Sequence, residues 1–136
     1  MRTAIDSCVL VDLFSGDPRY LQSALAALHE AAAQGSLLVS EVVYAELAPV
    51  VPDQTRLDEA LDRMGISVTP LGRSAAFHAG LIFYRYRHAG GRRERILADF
   101  LVAAHAAEHA DRLLTRDRGF YREHFPDLVI LDPTQA

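Results

Sequence analysis

Short apolar runs alternate along the chain with longer stretches of helical periodicity. Thr3-Ala4-Ile5 opens the pattern as a strand that ends on an acid, Asp6. Ser7–Ser15 has helical spacing and meets a stop at Gly16. Asp17-Pro18 is an N-cap followed by proline at a first helical position, predicting a helix over 18–34 with Leu21, Leu25 and Leu28 on one stripe. Residues 37–39 form a short apolar strand, and Ser40 caps a helix that runs through Glu46 towards Pro49. Pro52-Asp53 opens a helix with Leu57, Leu61 and Met64 on one face, and Gly65 closes it. Ile66–Thr69 alternates as a strand. A long helix over 74–89 carries Phe77, Leu81 and Tyr84 on its apolar face and breaks at Gly90-Gly91. A basic linker, 92–95, leads into a helix over Leu97–His109. Residues 112–115 and 128–131 are strands, separated by a turn and short helix over 117–124. Strands separated by helices predict a parallel, doubly wound α/β sheet covered on both faces.

Length narrows this to a single domain over 1–136, enough for one core. No apolar run approaches the roughly 20 residues that span a bilayer, so no membrane is expected. Asp6 and Asp12 interrupt any signal-peptide core. The lone cysteine, Cys8, cannot form an internal disulfide, which makes the cytoplasm the expected location. All 14 basic residues are arginine. Without lysine the chain cannot be a P-loop NTPase, a Schiff-base enzyme or a phosphoacceptor receiver domain. A net charge of −4 argues against a protein that grips nucleic acid over its whole surface, while leaving room for a local basic patch.

Four of the 18 acids stand in unusual settings. Asp6 and Asp117 sit at or just beyond the C-terminal ends of predicted strands, where open α/β sheets place their ligands. Glu46 has Val42, Val43, Pro49 and Val50 as its helical neighbours, which predicts a carboxylate on an apolar stripe. Asp99 shares a helix face with Val102, Ala103 and Ala106. Structural readings exist for each: Asp6 or Ser7 as a helix cap, an arginine pair for Glu46, the helix dipole for Asp99, a turn ahead of Gly119 for Asp117. If the Asp6 strand neighbours the strand ending at Thr115, all four converge on the switch-point crevice. Clustered carboxylates raise one another's pKa unless a cation intervenes, and hard divalent ions prefer oxygen ligands. The pattern points to a metal site, with phosphoryl transfer as its chemistry.

The segments IDSCVLVDLF, SEVVYAEL, ILADFLVAAHA and LLTRDRGF resemble, in order and spacing, the four motifs of PIN domains, over about residues 3–131. Chain length and helix count resemble the VapC-type toxins of type II toxin–antitoxin pairs. The resemblance implies a three-layer fold with a central, mostly parallel five-stranded sheet, the Asp6 strand in its centre beside the Leu113 strand. It implies an endoribonuclease dependent on one or two Mg²⁺ or Mn²⁺ ions held by Asp6, Glu46, Asp99 and Asp117. Ser7 and Thr115 match the hydroxyl positions that support the first and last acids. It further implies a homodimer and a cognate antitoxin; exposed apolar positions on the helices near Leu10 to Leu13 and Phe77 to Tyr84 are compatible with dimerisation.

Arg85, Arg87, Arg92, Arg93 and Arg95 form the densest basic stretch, and Arg116 and Arg118 flank Asp117; these are the candidates for RNA phosphates, with a solvated or partner-binding face as the alternative. Asp12 lies too far along its helix to join Asp6 and reads as solvated or partner-facing. His105 reads as a core or surface residue, and the histidines lack a third partner for zinc. The rival from another class is a catalytically silent PIN-like module that binds RNA or protein. A haloacid-dehalogenase-type phosphatase needs an acid where Cys8 stands and a lysine the chain lacks. A structure-specific DNA nuclease needs additional segments for which 136 residues leave no room.

Overall fold

The computed structural model describes residues 1–91 and 96–135. In chain order its elements are β1 (Arg2–Ile5), α1 (Ser7–Ser15), α2 (Leu21–Gln34), β2 (Ser36–Ser40), α3 (Glu41–Leu47), α4 (Gln54–Arg63), β3 (Ile66–Thr69), α5 (Arg73–His88), α6 (Leu97–His109), β4 (Arg112–Leu114), α7 (Arg118–His124) and β5 (Val129–Leu131). The strands form one sheet in the order β3-β2-β1-β4-β5. Every pairing is parallel, so the expected "mostly parallel" sheet is wholly so.

This order follows from the apolar runs. β1, with Ala4 and Ile5 almost inaccessible, is buried on both faces and takes the centre. Right-handed crossovers place α1 to α4 on one face and α5 to α7 on the other. α6 lies across β1, β2 and β4 because its alanines let it approach: Ala103, Ala104 and Ala106 are buried beside Phe100 and Val102. The chain turns back between β1 and β4, and the crevice above that switch point is where ligands bind in such sheets.

Glycines close two of the predicted boundaries. Gly16 ends α1 in the left-handed region at φ 68°, with its N–H on the Asp12 and Leu13 carbonyls. At Gly35 a Cβ would run into the Met1 carbonyl oxygen, so only glycine lets β1 and β2 begin side by side.

The expected start of the second helix is corrected. The Asp17-Pro18 signal opens a turn, not the helix: Asp17 O accepts the Tyr20 and Leu21 N–H groups, and α2 starts at Leu21. In α5 the apolar stripe of Phe77, Leu81 and Tyr84 is exposed, as expected of positions compatible with dimerisation, at 65%, 40% and 60%. The buried face runs instead through Ala75 and Ala79, with Ile82, Phe83 and Tyr86 against the core. Both stripes have helical spacing; the small one wins because α6 packs close, and Phe83 meets Phe100 edge-on at 5.2 Å. Leu10, one of the positions considered for dimerisation, is fully buried. Among the described residues no helix is long and apolar enough to cross a membrane.

Candidate active site

Sheet register assembles the site. Ile5 pairs with Leu114, so the next residues, Asp6 and Thr115, stand side by side at the strand tips. The Asp6 N–H continues the ladder to Leu114 O at 3.0 Å, and the Thr115 N–H continues it to Leu131 O at 2.9 Å. Thr115 Oγ1 then donates to Asp6 Oδ2 at 2.8 Å and accepts the Asp117 N–H at 3.0 Å. Asp6 Oδ1 accepts the Ser7 N–H at 2.8 Å, so the cap of α1 and the strand-tip acid are one side chain.

Asp6 is 8% exposed. Burial pushes its carboxyl above the usual range; the hydrogen bonds from Thr115, Tyr121 and Ser7 oppose this, and the charge of Asp117 adds to it. Burial pushes the thiol of Cys8, beside it, up to about 11, and the Asp6 charge adds to the rise.

Glu46 departs from expectation. The buried positions of α3 are Val43 and Leu47, and Glu46 is exposed at the rim. Partial desolvation still raises its pKa, a hydrogen bond from the Ser7 side chain lowers it, and the charges of Asp6 and Asp99 raise it further. The Ser7 hydroxyl, expected to support the first acid, therefore serves Glu46, while Ser7 supports Asp6 through its backbone.

Asp99 is half-buried at the third position of α6, and its Oδ2 accepts the Ile96 N–H at 3.0 Å. The structural reading of this acid as a helix-terminal residue is realised in one of its oxygens. Its neighbour Phe100 is fully buried among Phe83, Tyr86, Phe120 and Phe125, which fixes the start of α6. Asp6, Asp99 and Asp117 all lie at helix N-termini, where the backbone dipole favours negative charge and partly offsets their repulsion.

The four acids thus come from β1, α3, α6 and the β4–α7 turn, and their charges act on one another: Asp117 on Asp6, and Asp6 and Asp99 on Glu46. Their oxygen donors fit a hard divalent ion in kind. Among the described residues, no three His, Cys, Asp or Glu side chains close on a single point as they stand.

One contributor escaped the sequence reading. Tyr121, 1% exposed, donates its hydroxyl to Asp6 Oδ2 at 3.1 Å. Burial and the Asp6 charge hold the phenol protonated, so it acts as a donor. The available signal was its position four residues after Asp117, on the same side of α7.

Asp12 is not solvated. It is 5% exposed and forms a bidentate pair with Arg116, at 2.7 and 3.1 Å. The Arg116 guanidinium also lies over the Tyr20 ring, 3.9 Å from its centroid. Arg116 is thereby committed within the protein, and a phosphate would have to displace Asp12. Arg118 lies 3.6 Å from Asp132 and keeps a more accessible side chain. Arg92, Arg93 and Arg95 lie outside the described residues. His105 is a core residue, with Nε2 3.1 Å from Thr69 O.

The model of the PIN domain family matches residues 3–125, and the chain belongs to this family. No curated protein matches it. Among solved structures the chain is similar to VapBC2 from Rickettsia felis bound to a DNA fragment from its promoter. The identity is 22% and the TM-score 0.75, over 97% of this chain and 98% of that one. It is similar to a toxin–antitoxin complex from Klebsiella pneumoniae at 21% identity and TM-score 0.70, over 98% and 99%. FitAcB from Neisseria gonorrhoeae gives 20% identity and TM-score 0.72, over 98% and 99%. These likenesses establish the shared fold.

Proposed function

We propose that the chain is a metal-dependent endoribonuclease and the toxin of a toxin–antitoxin pair, with Asp6, Glu46, Asp99 and Asp117 as its metal-binding and catalytic acids. The observation that carries the reading is geometric: Asp6 and Asp117 stand at adjacent strand tips bridged by the Thr115 hydroxyl at the β1/β4 switch point, with Glu46 and Asp99 on the neighbouring helices α3 and α6. Helix capping accounts for single oxygens of Asp6 and Asp99, but not for bringing acids from four elements together, where each raises the cost of ionising its neighbours.

Asp6, Glu46, Asp99 and Asp117 would hold Mg²⁺ or Mn²⁺, which would supply charge neutralisation for a phosphodiester and a lowered pKa for a water molecule. The chain supplies the rest. Thr115 holds Asp6 and the Asp117 backbone in fixed relation, and Ser7 steadies Glu46. Asp99 is oriented by its bond to Ile96 and by the burial of Phe100. Arg118 is the arginine carried forward for substrate phosphate.

The complexes named above support an antitoxin as partner, and the exposed Phe77, Leu81 and Tyr84 support a homodimer. The lone Cys8 suits a cytoplasmic location. Incubation of the purified chain with RNA and Mn²⁺, with EDTA as control, tests the activity; a silent RNA- or protein-binding module would leave the RNA intact.

A further inference from the structure

We infer that Tyr121 is a positioning residue that restricts Asp6 to offering one carboxylate oxygen, Oδ1, to a cation, and so biases the site towards Mg²⁺ and Mn²⁺ over Ca²⁺. The inference rests on the reading of the four acids as a metal centre.

Hydrogen-bond accounting leads there. A carboxylate oxygen has two good acceptor directions. Asp6 Oδ2 receives Thr115 Oγ1 at 2.8 Å and the Tyr121 hydroxyl at 3.1 Å, with the Cys8 thiol 3.9 Å away. Both strong partners are donors. The Thr115 hydroxyl already accepts the Asp117 N–H, which leaves its own proton for Asp6, and the Tyr121 phenol has its proton to give. Oδ2 is therefore saturated, whereas Oδ1 accepts, among the described residues, the Ser7 N–H at 2.8 Å and keeps one direction open.

Tyr121 cannot swing aside to release Oδ2. Its ring is buried, 5.0 Å from the Phe120 ring. Ca²⁺ fills a shell of six to eight oxygens and readily uses both oxygens of a carboxylate to do so, while Mg²⁺ demands a compact octahedron of single oxygens. An acid held to a single oxygen suits the second ion and handicaps the first.

The test is direct binding of Mn²⁺, Mg²⁺ and Ca²⁺ to the full chain without RNA, by titration calorimetry, for the natural protein and for Tyr121→Phe. The variant keeps the ring and removes only the hydroxyl; its melting curve in EDTA checks the fold. Loss of a supporting hydrogen bond weakens Mn²⁺ binding on the order of 10-fold. Ca²⁺, which gains access to Oδ2, loses less or gains, so the preference for Mn²⁺ over Ca²⁺ falls at least several-fold. Thr115→Val frees the same oxygen from the other side and shifts the preference in the same direction. A purely structural Tyr121 would leave the ratio unchanged, and that result overturns the inference. If the natural protein binds none of the three ions, the metal-centre reading fails and the inference falls with it. If it binds Mn²⁺ but the ratio stays constant, the inference alone fails.

Discussion

Thr115 Oγ1 lies 2.8 Å from Asp6 Oδ2 and accepts the Asp117 N–H, so one hydroxyl on β4 ties together acids at two adjacent strand tips. Replacing it with valine keeps the shape and leaves the Asp117 N–H without this acceptor. Thr115→Val is expected to cost about 1–2 kcal/mol of stability and roughly 10- to 100-fold in cleavage rate. Thermal melts and initial rates with a labelled RNA check both. Unchanged cleavage would remove Thr115 from the site.

The burial of Asp6 predicts an unusual pH response. Its folded-state pKa is raised, so it contributes stability that is fully present below the unfolded value, near 3.8, and lost as pH rises through the folded one. Asp6→Asn removes this loss: the amide oxygen can keep the Ser7 bond while its nitrogen faces Thr115 or Tyr121. In EDTA at pH 7 the variant should melt higher than the natural protein, by about 3–5 °C for each kcal/mol relieved. The gap should close as pH falls towards 4. Millimolar Mn²⁺ should raise the melting temperature of the natural protein and much less that of the variant. A gap that widens on acidification would contradict the assigned direction.

Arg116 and Asp12 form a partly buried pair that anchors the loop carrying Asp117 onto α1. Removing one partner strands the other. Arg116→Ala should therefore destabilise the protein by about 2–3 kcal/mol, and Arg116→Met combined with Asp12→Leu by clearly less. Chemical denaturation of the two variants decides it. Equal losses would mean that the charges do not interact productively.

The central features of the fold were legible in the sequence because they are local. Apolar runs three to five residues long, glycine stops and caps such as Ser40 and Asp53 mark elements whatever surrounds them. Which of two equally spaced helix faces packs inward is not a local matter. In α5 only the closeness of α6 decides that Ala75 and Ala79 go inward while Phe77 faces out. The site divides in the same way. Asp6, Asp99 and Asp117 announce themselves through strand ends and helix starts. Glu46 was singled out by an apolar stripe that in fact turns its Val43 and Leu47 inward, leaving the acid at the rim. Tyr121 and the Asp12–Arg116 pair were invisible because each joins residues more than 100 apart in the chain, brought together by the β1–β4 register.

The exposed stripe of Phe77, Leu81 and Tyr84 bears on self-association. If it forms the homodimer contact, Phe77→Glu with Leu81→Glu should yield a folded monomer in sedimentation velocity at concentrations where the natural chain is a dimer. Identical sedimentation of both would place the contact elsewhere.

Metal-dependent RNA cleavage by Asp6, Glu46, Asp99 and Asp117 is the activity we propose. Its most direct test is single-turnover cleavage of an end-labelled RNA by the natural chain, Asp6→Asn and Asp99→Asn across a Mn²⁺ titration. Cleavage should rise with Mn²⁺ in the natural chain, vanish in EDTA and fall on the order of 100-fold or more in each variant while both remain folded. Cleavage at the natural rate in both folded variants, or cleavage that persists in EDTA, would contradict the account.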